Sequence, residues 1–238
     1  MISIVHPYYN HKETFAYQFN QWSMFSRKVK ANIEIVVVDD GSPVYPCLPP
    51  ADLKGIDLKI MRVEEDIRWN TAGAANLGVT VSKYDWILHA DFDVGLPPWC
   101  ADALLALDLS NPKVVYWPMT WHETSRGYQK YGAPHCNSYL MNKNTYWEAG
   151  GYDEDFSGCW GCQDSLFHKY SCKPLNLIRK ELQHVVLERM IRCKDAKVQG
   201  VWRDRGDSIN WQKLYDKMEG KTPQSKDYLR FKWHQVYP

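Results

Sequence analysis

The sequence predicts an α/β fold built on a mostly parallel central sheet flanked by helices. Three observations carry that prediction. The run Ile33 to Val38 is β-branched and lacks polar alternation, as in a strand buried on both faces. Apolar runs and helix-patterned segments alternate from the first residues onward, which is the signature of βαβ units. Polar clusters follow three of the apolar runs, and ligands in open α/β sheets bind beyond the carboxyl ends of the strands.

The elements follow in order. Ile2 to Pro7 is the first buried strand. In "HKETFAYQFNQWSMFSRK", Phe15, Phe19 and Trp22 recur at helical spacing, so an amphipathic helix follows. Ile33 to Val38 is the second strand, and the alternating Ile56, Leu58 and Ile60 mark the third. "NTAGAANLGVTVSK" is rich in small residues and suits a tightly packed helix, and "DWILHA" is the fourth strand. Beyond Pro97 the pattern changes: Ala101 to Leu107 reads as a helix, Val114 to Trp117 as a strand, "NSYLMNK" as another strand, and "NTYWEAGG" as a short helix ended by glycine. From about residue 191 the chain is charged, with Trp202, Trp211 and Trp233 spaced along it, and is expected to be a mostly helical tail packed on the body. The expected organisation is therefore one domain over residues 1–190, with a first half to about residue 95 and a second from 96, followed by the tail 191–238.

Composition excludes several function classes. With 238 residues there is enough chain for a sizeable core. Lys and Arg total 29 against 28 Asp and Glu, so the balance gives no reason to expect a nucleic-acid partner. No stretch approaches the roughly 20 apolar residues of a membrane span, and "MISIVHPYYN" has no basic leader, so no signal peptide is expected. Seven cysteines, an odd number, spread along a chain of this length read as reduced thiols of a cytoplasmic protein. Cys159 and Cys162 form a CxxC, but no second pair completes a zinc site. The 11 tryptophans and 15 tyrosines are the unusual feature, since aromatic faces serve both cores and sugar rings.

The clusters at strand ends carry the chemistry. They are "HPYYN", "VVVDDGS" and "HADFDV". No G-x-G-x-x-G follows the first strand and no G-x-x-x-x-G-K-[ST] occurs, so a nucleotide would be held by carboxylates and not by a glycine cradle. Asp91 and Asp93, two residues apart in an extended segment, point the same way and can meet one hard cation such as Mg²⁺ or Mn²⁺. A solvated turn before Pro97 explains the same pair, and Asp39-Asp40-Gly-Ser alone is equally consistent with a turn or helix cap. A later segment, "GGYDEDFSGCWGCQDSLF", packs glycines, aromatics and acids together. Gly158 and Gly161 flank Trp160, so the backbone can bend there and present the indole. Asp164 follows at a helix start, where its position suits either an N-cap or a general base.

These motifs, in this order, resemble glycosyltransferases of the GT-A fold, family 2. "ISIVHPYYN" looks like the family's opening strand and Tyr-Asn loop, "IEIVVVDDGS" like its second-strand motif, "NTAGAANLGV" like the helix before the metal strand, and "HADFDV" is the D-x-D. "AGGYDEDFSGCWGCQDSLF" resembles the acceptor segment of galactosyltransferase-like members, which usually reads G-W-G-G-E-D. The resemblance covers about residues 1–190.

The resemblance implies a nucleotide-sugar half and an acceptor half. It implies that Asp40 accepts a hydrogen bond from uracil, with Tyr9 near the base and Pro7 contributing backbone only. Asn76 stands at the family's usual asparagine position on the donor side, Asp91 near ribose and sugar, and Asp93 at the metal. Trp160 would pack on a sugar ring, Gln163 would contact the acceptor or donor sugar, and Asp164 would be the base. His184, in "ELQHVV", fits the spacing of a histidine that completes the metal site; Cys193 and His168 are weaker candidates for that place. Gln163 and Cys162 depart from the pattern, standing where Glu and Gly are usual. Trp121 and Tyr131 are further candidates for pyranose platforms. The expected activity is metal-dependent inverting transfer, with Mn²⁺ or Mg²⁺, from a UDP-sugar to the hydroxyl of a glycan or other acceptor. A nucleotidyltransferase and a non-catalytic nucleotide- or glycan-binding module are the rival readings.

Overall fold

The computed structural model describes residues 1–124, 127–130, 134–190 and 208–238. Its first half follows the expected order: β1 (Ile2–Tyr8), α1 (Lys12–Ser23), α2 (Arg27–Lys30), β2 (Ile33–Asp39), β3 (Asp57–Val63), α3 (Thr71–Val81) and β4 (Trp86–His89). The helix expected over 11–28 breaks at Met24, and Ser26 starts a new turn by accepting from the Val29 amide at 3.2 Å. A short β5 (Val94–Gly95) and α4 (Pro98–Leu105) follow, then β6 (Val114–Thr124), β7 (Gly127–Lys130), β8 (Tyr139–Asn142), α5 (Lys143–Glu148) and α6 (Gln163–Leu166). A π-helical turn (Phe167–Ser171), β9 (Ile178–Arg189), α7 (Ser208–Met218) and β10 (Trp233–Tyr237) complete the described chain.

Among the described residues the strands form one sheet in the order β10-β3-β2-β1-β4-β8-β6-β9-β5, with β7 paired to β6. β3, β2, β1 and β4 are parallel; helices join β1 to β2 and β3 to β4, and a long helix-free loop joins β2 to β3. The rest is mixed: β6 runs parallel to β9, while β8 is antiparallel to β4 and β6, and β10 to β3. Of the expected tail only residues 208–238 are described, and these are not all helix. α7 is a helix, but Trp233 to Tyr237 returns to the sheet as an edge strand on β3.

The buried runs are two-sided, and alternate residues supply two cores. Ile2, Ile4, Ile33 and Ile35 pack with Trp22, Val29, Cys100 and Leu104 of α1, α2 and α4. Val5, Val36 and Val38 pack with Ala72, Ala75, Leu77 and Val79 of α3. The small residues of α3 let it lie against the sheet: a Cβ on Gly78 would stand 2.3 Å from Val5 Cγ1. Asn76, on the same helix, is fully buried. Its Nδ2 donates to the Tyr152 carbonyl and to Glu154 Oε1, each at 2.8 Å, and its Oδ1 accepts from the Tyr146 hydroxyl at 2.6 Å and the Tyr152 amide at 3.0 Å. It ties α3 to the segment after α5. Asn76→Ala strips partners from several buried polar groups and is expected to lower unfolding free energy by about 2–4 kcal/mol in urea titrations; an unchanged midpoint would contradict this role.

Three imidazoles, those of the buried His6 and His89 and the half-buried His168, are held neutral by their surroundings. Burial holds His6 and His89 down at about 4 and His168 at about 3. In the unfolded chain each titrates near 6.5, so below that pH the unfolded state binds more protons than the folded one. Stability is therefore full above about 6.5 and is lost as pH falls toward 4. Asp91, whose carboxyl burial raises to about 6, acts in the opposite sense but is one group against three. Urea unfolding at pH 5 is expected to show a stability at least about 2 kcal/mol below that at pH 7. A flat profile over this interval would contradict the neutral imidazoles.

Candidate active site

The carboxyl ends of β1, β2 and β4 open onto a cavity of about 450 Å³. Each contributes through a local reason. At the end of β2, Asp39 and Asp40 separate in role. Asp39 is fully buried and fixes the following loop: its carboxylate accepts from the Ser42 amide at 2.9 Å and the Cys47 amide at 2.8 Å, and pairs with Arg62 at 2.7 Å. Asp40 lines the cavity, its Oδ1 accepting from Asn70 Nδ2 at 3.1 Å. Pro7 and Tyr9, at the end of β1, line the same wall, and the Tyr9 hydroxyl donates to Asp66 at 3.2 Å.

At the end of β4, Phe92 turns inward and its neighbours turn outward. Its ring meets those of His6, Tyr8, His11 and Phe15 at centroid distances of 5.6, 5.0, 5.5 and 6.3 Å. Gln18 Nε2 donates to the Phe92 carbonyl at 2.9 Å and holds the turn from below. Asp91 and Asp93 both line the cavity. Asp91 Oδ2 accepts from Asn137 Nδ2 at 3.3 Å and lies 3.7 Å from His135 Nδ1. Burial raises its carboxyl to about 6; His135 opposes the shift, while the charges of Asp93 and Asp164 add to it. Asp93 Oδ2 pairs with Arg189 Nε at 3.1 Å.

The opposite wall comes from the segment before and within α6. Gly158 and Gly161 have φ of 100° and 93°, and between them Trp160 is presented with 39% of its surface exposed, its ring centroid 6.4 Å from that of Trp69. Cys162 stands where the related motif has glycine and keeps a left-handed backbone, φ 75°, which costs a residue with a Cβ roughly 1–2 kcal/mol. Its side chain is buried against Phe156, Leu166 and Leu214 of α7. The same helix sends Asn210 Nδ2 to the carbonyls of Phe156, Cys159 and Gly161 at 3.1, 2.8 and 3.1 Å. The Trp160 loop is thus held by the C-terminal part of the chain, and Trp211 of α7 joins the cavity lining. Gln163 lines the cavity with a buried Oε1 that has no partner among the described residues. Asp164 lines it as well. The Cys136 thiol donates to Asp164; partial withdrawal of its sulfur from water and the charges of Asp164 and Asp91 push it up, so it stays a neutral donor although the residue is exposed.

Of the residues expected at the site, Pro7, Tyr9, Asp40, Asp91, Asp93, Trp160, Gln163 and Asp164 come together around this cavity. Two do not. Asn76 belongs to the buried network under α3 and does not line the cavity. His184 is exposed and does not line it either. The reason lies in β9: Pro118 pairs with Leu182 but the next residue, Met119, pairs with Val186, so Gln183, His184 and Val185 bulge out of register. The strand reaches Asp93 only with Arg189. His168 lines a neighbouring cavity, and Trp121 pairs with Trp99 at 5.6 Å outside the first one. Tyr131, Cys193 and Trp202 lie outside the described residues. Sequence reasoning missed Arg189, His135, Asn137 and Trp211. "APHCN" and "LERM" carry no motif, and only the sheet brings them to the carboxylates.

Among the described residues no three His, Cys, Asp or Glu side chains are grouped to hold a metal ion. The donor set nonetheless fits a hard divalent cation that takes one or two carboxylates and completes its shell with phosphate and water. Asp91 and Asp93 offer oxygens from one wall; burial chiefly raises Asp91, and the charge of Asp93 that adds to the shift is charge such an ion would neutralise. Arg189 occupies one oxygen of Asp93 and leaves the other. Among the described residues, no helix is long and apolar enough to cross a membrane.

The model of glycosyl transferase family 2 matches residues 3–169, a span that holds Asp40, Asp91, Asp93 and Asp164. No curated protein matches the sequence. Among solved structures, S. aureus TarS 1-349 in complex with UDP-GlcNAc is similar with a TM-score of 0.61 at 15% identity, over 80% of this chain and 58% of that one. The mannosyltransferase PcManGT from Pyrobaculum calidifontis, in complex with GDP-Man and Mn²⁺, gives 0.60 at 14% identity over 94% of this chain and 65% of that one. GalNAc-T7 with UDP, GalNAc and Mn²⁺ gives 0.61 at 12% identity over 94% and 52%. The chain spans 60% of the length of TarS 1-349. At such identities the likeness is one of fold, and that fold is GT-A. With the family model matched over most of its length and the acidic strand ends gathered at one cavity, the chain belongs to glycosyl transferase family 2.

Proposed function

We propose that this protein is a metal-dependent, inverting glycosyltransferase that moves a sugar from a nucleotide-sugar, a UDP-sugar in first place, to an acceptor hydroxyl. One observation carries the reading: a single cavity is lined by the nucleotide-side residues Tyr9 and Asp40, the pair Asp91 and Asp93, and Asp164. β2 and β4 flank β1 in the sheet, so Asp40 and Asp91 stand two strand spacings apart, roughly 10 Å. That interval suits a nucleoside with its base at Asp40 and its phosphates at Asp91 and Asp93. Mn²⁺ in the complexes of PcManGT and GalNAc-T7 supports a divalent cofactor.

In this reading Asp40 accepts from the uracil imide, Tyr9 lies beside the ring, and Pro7 contributes backbone. Asp93, with Asp91, would hold the divalent ion, whose chemistry is to neutralise charge on the diphosphate. Arg189, already at Asp93, adds a fixed positive charge on the same side. Asp164 takes the proton from the acceptor hydroxyl as its oxygen attacks the anomeric carbon. The bond to the diphosphate breaks with its electron pair leaving on the phosphate oxygen, and the anomeric configuration inverts. Trp160 offers an apolar face to a pyranose, and Gln163 Oε1 a free acceptor for a sugar hydroxyl. The Cys136 hydrogen bond orients the Asp164 carboxylate without supplying charge.

The experiment is a mass-spectrometric panel of UDP-sugars with Mn²⁺, scored for UDP and for sugar transfer. UDP released from one donor, and lost in Asp93→Ala, is the expected result. Release of pyrophosphate from UTP and a sugar phosphate would instead favour a nucleotidyltransferase. Asp164→Asn is expected to bind UDP as the parent does while transfer falls about 10²–10⁴-fold; undiminished transfer would remove Asp164 from the role. Arg189→Ala is expected to weaken UDP binding about tenfold by calorimetry, the worth of one charged hydrogen bond. Unchanged affinity would place Arg189 outside diphosphate recognition.

A further inference from the structure

Beside the first cavity lies a second, of about 650 Å³, and Asp164, Ser165 and Cys136 belong to the lining of both. The character of the lining changes across that shared edge. The first cavity holds four carboxylates, Asp40, Asp91, Asp93 and Asp164, against one arginine. In the second, Asp164 is the sole carboxylate among the described residues, and Lys169, Lys173 and Arg179 are present with the half-buried His168. Lys169 and Lys173 are exposed and have no carboxylate partner among the described residues. Arg179 lies over the Trp117 ring at 4.6 Å and meets Glu181 at 3.0 Å, so its charge is shared. His168 is neutral, its imidazole held at about 3 by burial, and its Nε2 has no partner among the described residues. It adds no charge to the groove.

The local backbone fixes these groups relative to Asp164. α6 runs into the π-helical turn Phe167–Ser171, closed by the Cys172 amide on the Phe167 carbonyl at 2.9 Å. Such wide turns occur mostly as single insertions and often at functional sites. Lys169 and Lys173 follow Asp164 in the chain and line the same cavity. One continuous stretch therefore carries an acid and then two free cations down the floor of one groove.

We propose that this second cavity is the acceptor groove and that it takes an acceptor carrying an anionic group, a carboxylate or a phosphate, on the unit beside the one whose hydroxyl is glycosylated. The inference rests on Asp164 as the base. The hydroxyl lies at Asp164 and the anion lies along Lys169 and Lys173. A neutral glycan leaves two lysines unused beside the reacting group. An anionic one is drawn in by them, and its attraction weakens with salt.

The test uses the full chain saturated with UDP and Mn²⁺ and three fluorescently labelled oligosaccharides of equal length: one neutral, one bearing uronic acids, one linked by phosphodiesters. Binding is read by anisotropy at low and high salt. The charged probes are expected to bind at least tenfold more tightly than the neutral one at low salt. The double variant Lys169→Gln, Lys173→Gln is expected to lose that preference and most of its salt dependence. Lys28→Gln, an exposed lysine on α2, should match the parent. Whichever of the carboxylate and phosphodiester probes binds better names the source of the anion. Equal or tighter binding of the neutral probe, a charge preference that survives the double variant, or no binding of any probe overturns the inference. UDP calorimetry on the same samples separates the two levels, because absence of UDP binding would overturn the donor reading on which the inference stands.

Discussion

The site depends on where one ring goes. Phe92 is buried among His6, Tyr8, His11 and Phe15, and its insertion turns the residues on either side of it outward. Burying a phenylalanine contributes about 1.5–3 kcal/mol, and its edge-on ring contacts add to that. This offsets the repulsion of placing Asp91 and Asp93 on one wall with Asp164 facing them. The remaining unfavourable charge is visible in Asp91, whose carboxyl is raised to about 6 by burial and by those two neighbours. A cavity that sets three acids against the single paired guanidinium of Arg189 among its described lining is suited to a ligand that arrives with its own cation.

The opposite wall is assembled from parts far apart in sequence. Asn210 of α7 binds three carbonyls around the Trp160 loop, and Lys217 of the same helix pairs with Asp153 at 2.9 Å and Asp155 at 2.8 Å. The left-handed Cys162 is tolerable in this setting. Its thiol fills space beside Leu214 that a glycine would leave empty, and the burial of that side chain offsets the backbone cost. The departure from the family motif is thus matched by a packing partner from the tail, and the indole of Trp160 stays presented to the cavity.

How much of this was legible follows from which forces act locally. The parallel strands β1, β2 and β4 were legible because both their faces are buried and their sequences are apolar throughout. The acidic strand ends were legible because chain direction alone puts them on one edge of the sheet. β9 was not read as a strand: its first four residues, Ile178 to Glu181, are exposed, and its register slips by a bulge. That bulge is why spacing alone pointed to His184 while the geometry delivers Arg189. Asn76 sits in the segment that resembles the family's helix before the metal strand, yet its bonds run to Tyr146, Tyr152 and Glu154. A sequence marks such a residue as polar on a helix of small residues, but the direction of its side chain is decided by tertiary packing. β10 escaped notice because an edge strand with one exposed face carries little pattern.

The most direct test of the central claim is a crystal structure of the chain with Mn²⁺ and an intact UDP-sugar that the donor panel selects. The account predicts uracil at Asp40 and Tyr9, the ion at Asp91 and Asp93 with the diphosphate beside it toward Arg189, and the anomeric carbon facing Asp164 with open passage to the lysine-lined groove. A nucleotide bound elsewhere, or one whose sugar points away from Asp164, would contradict it.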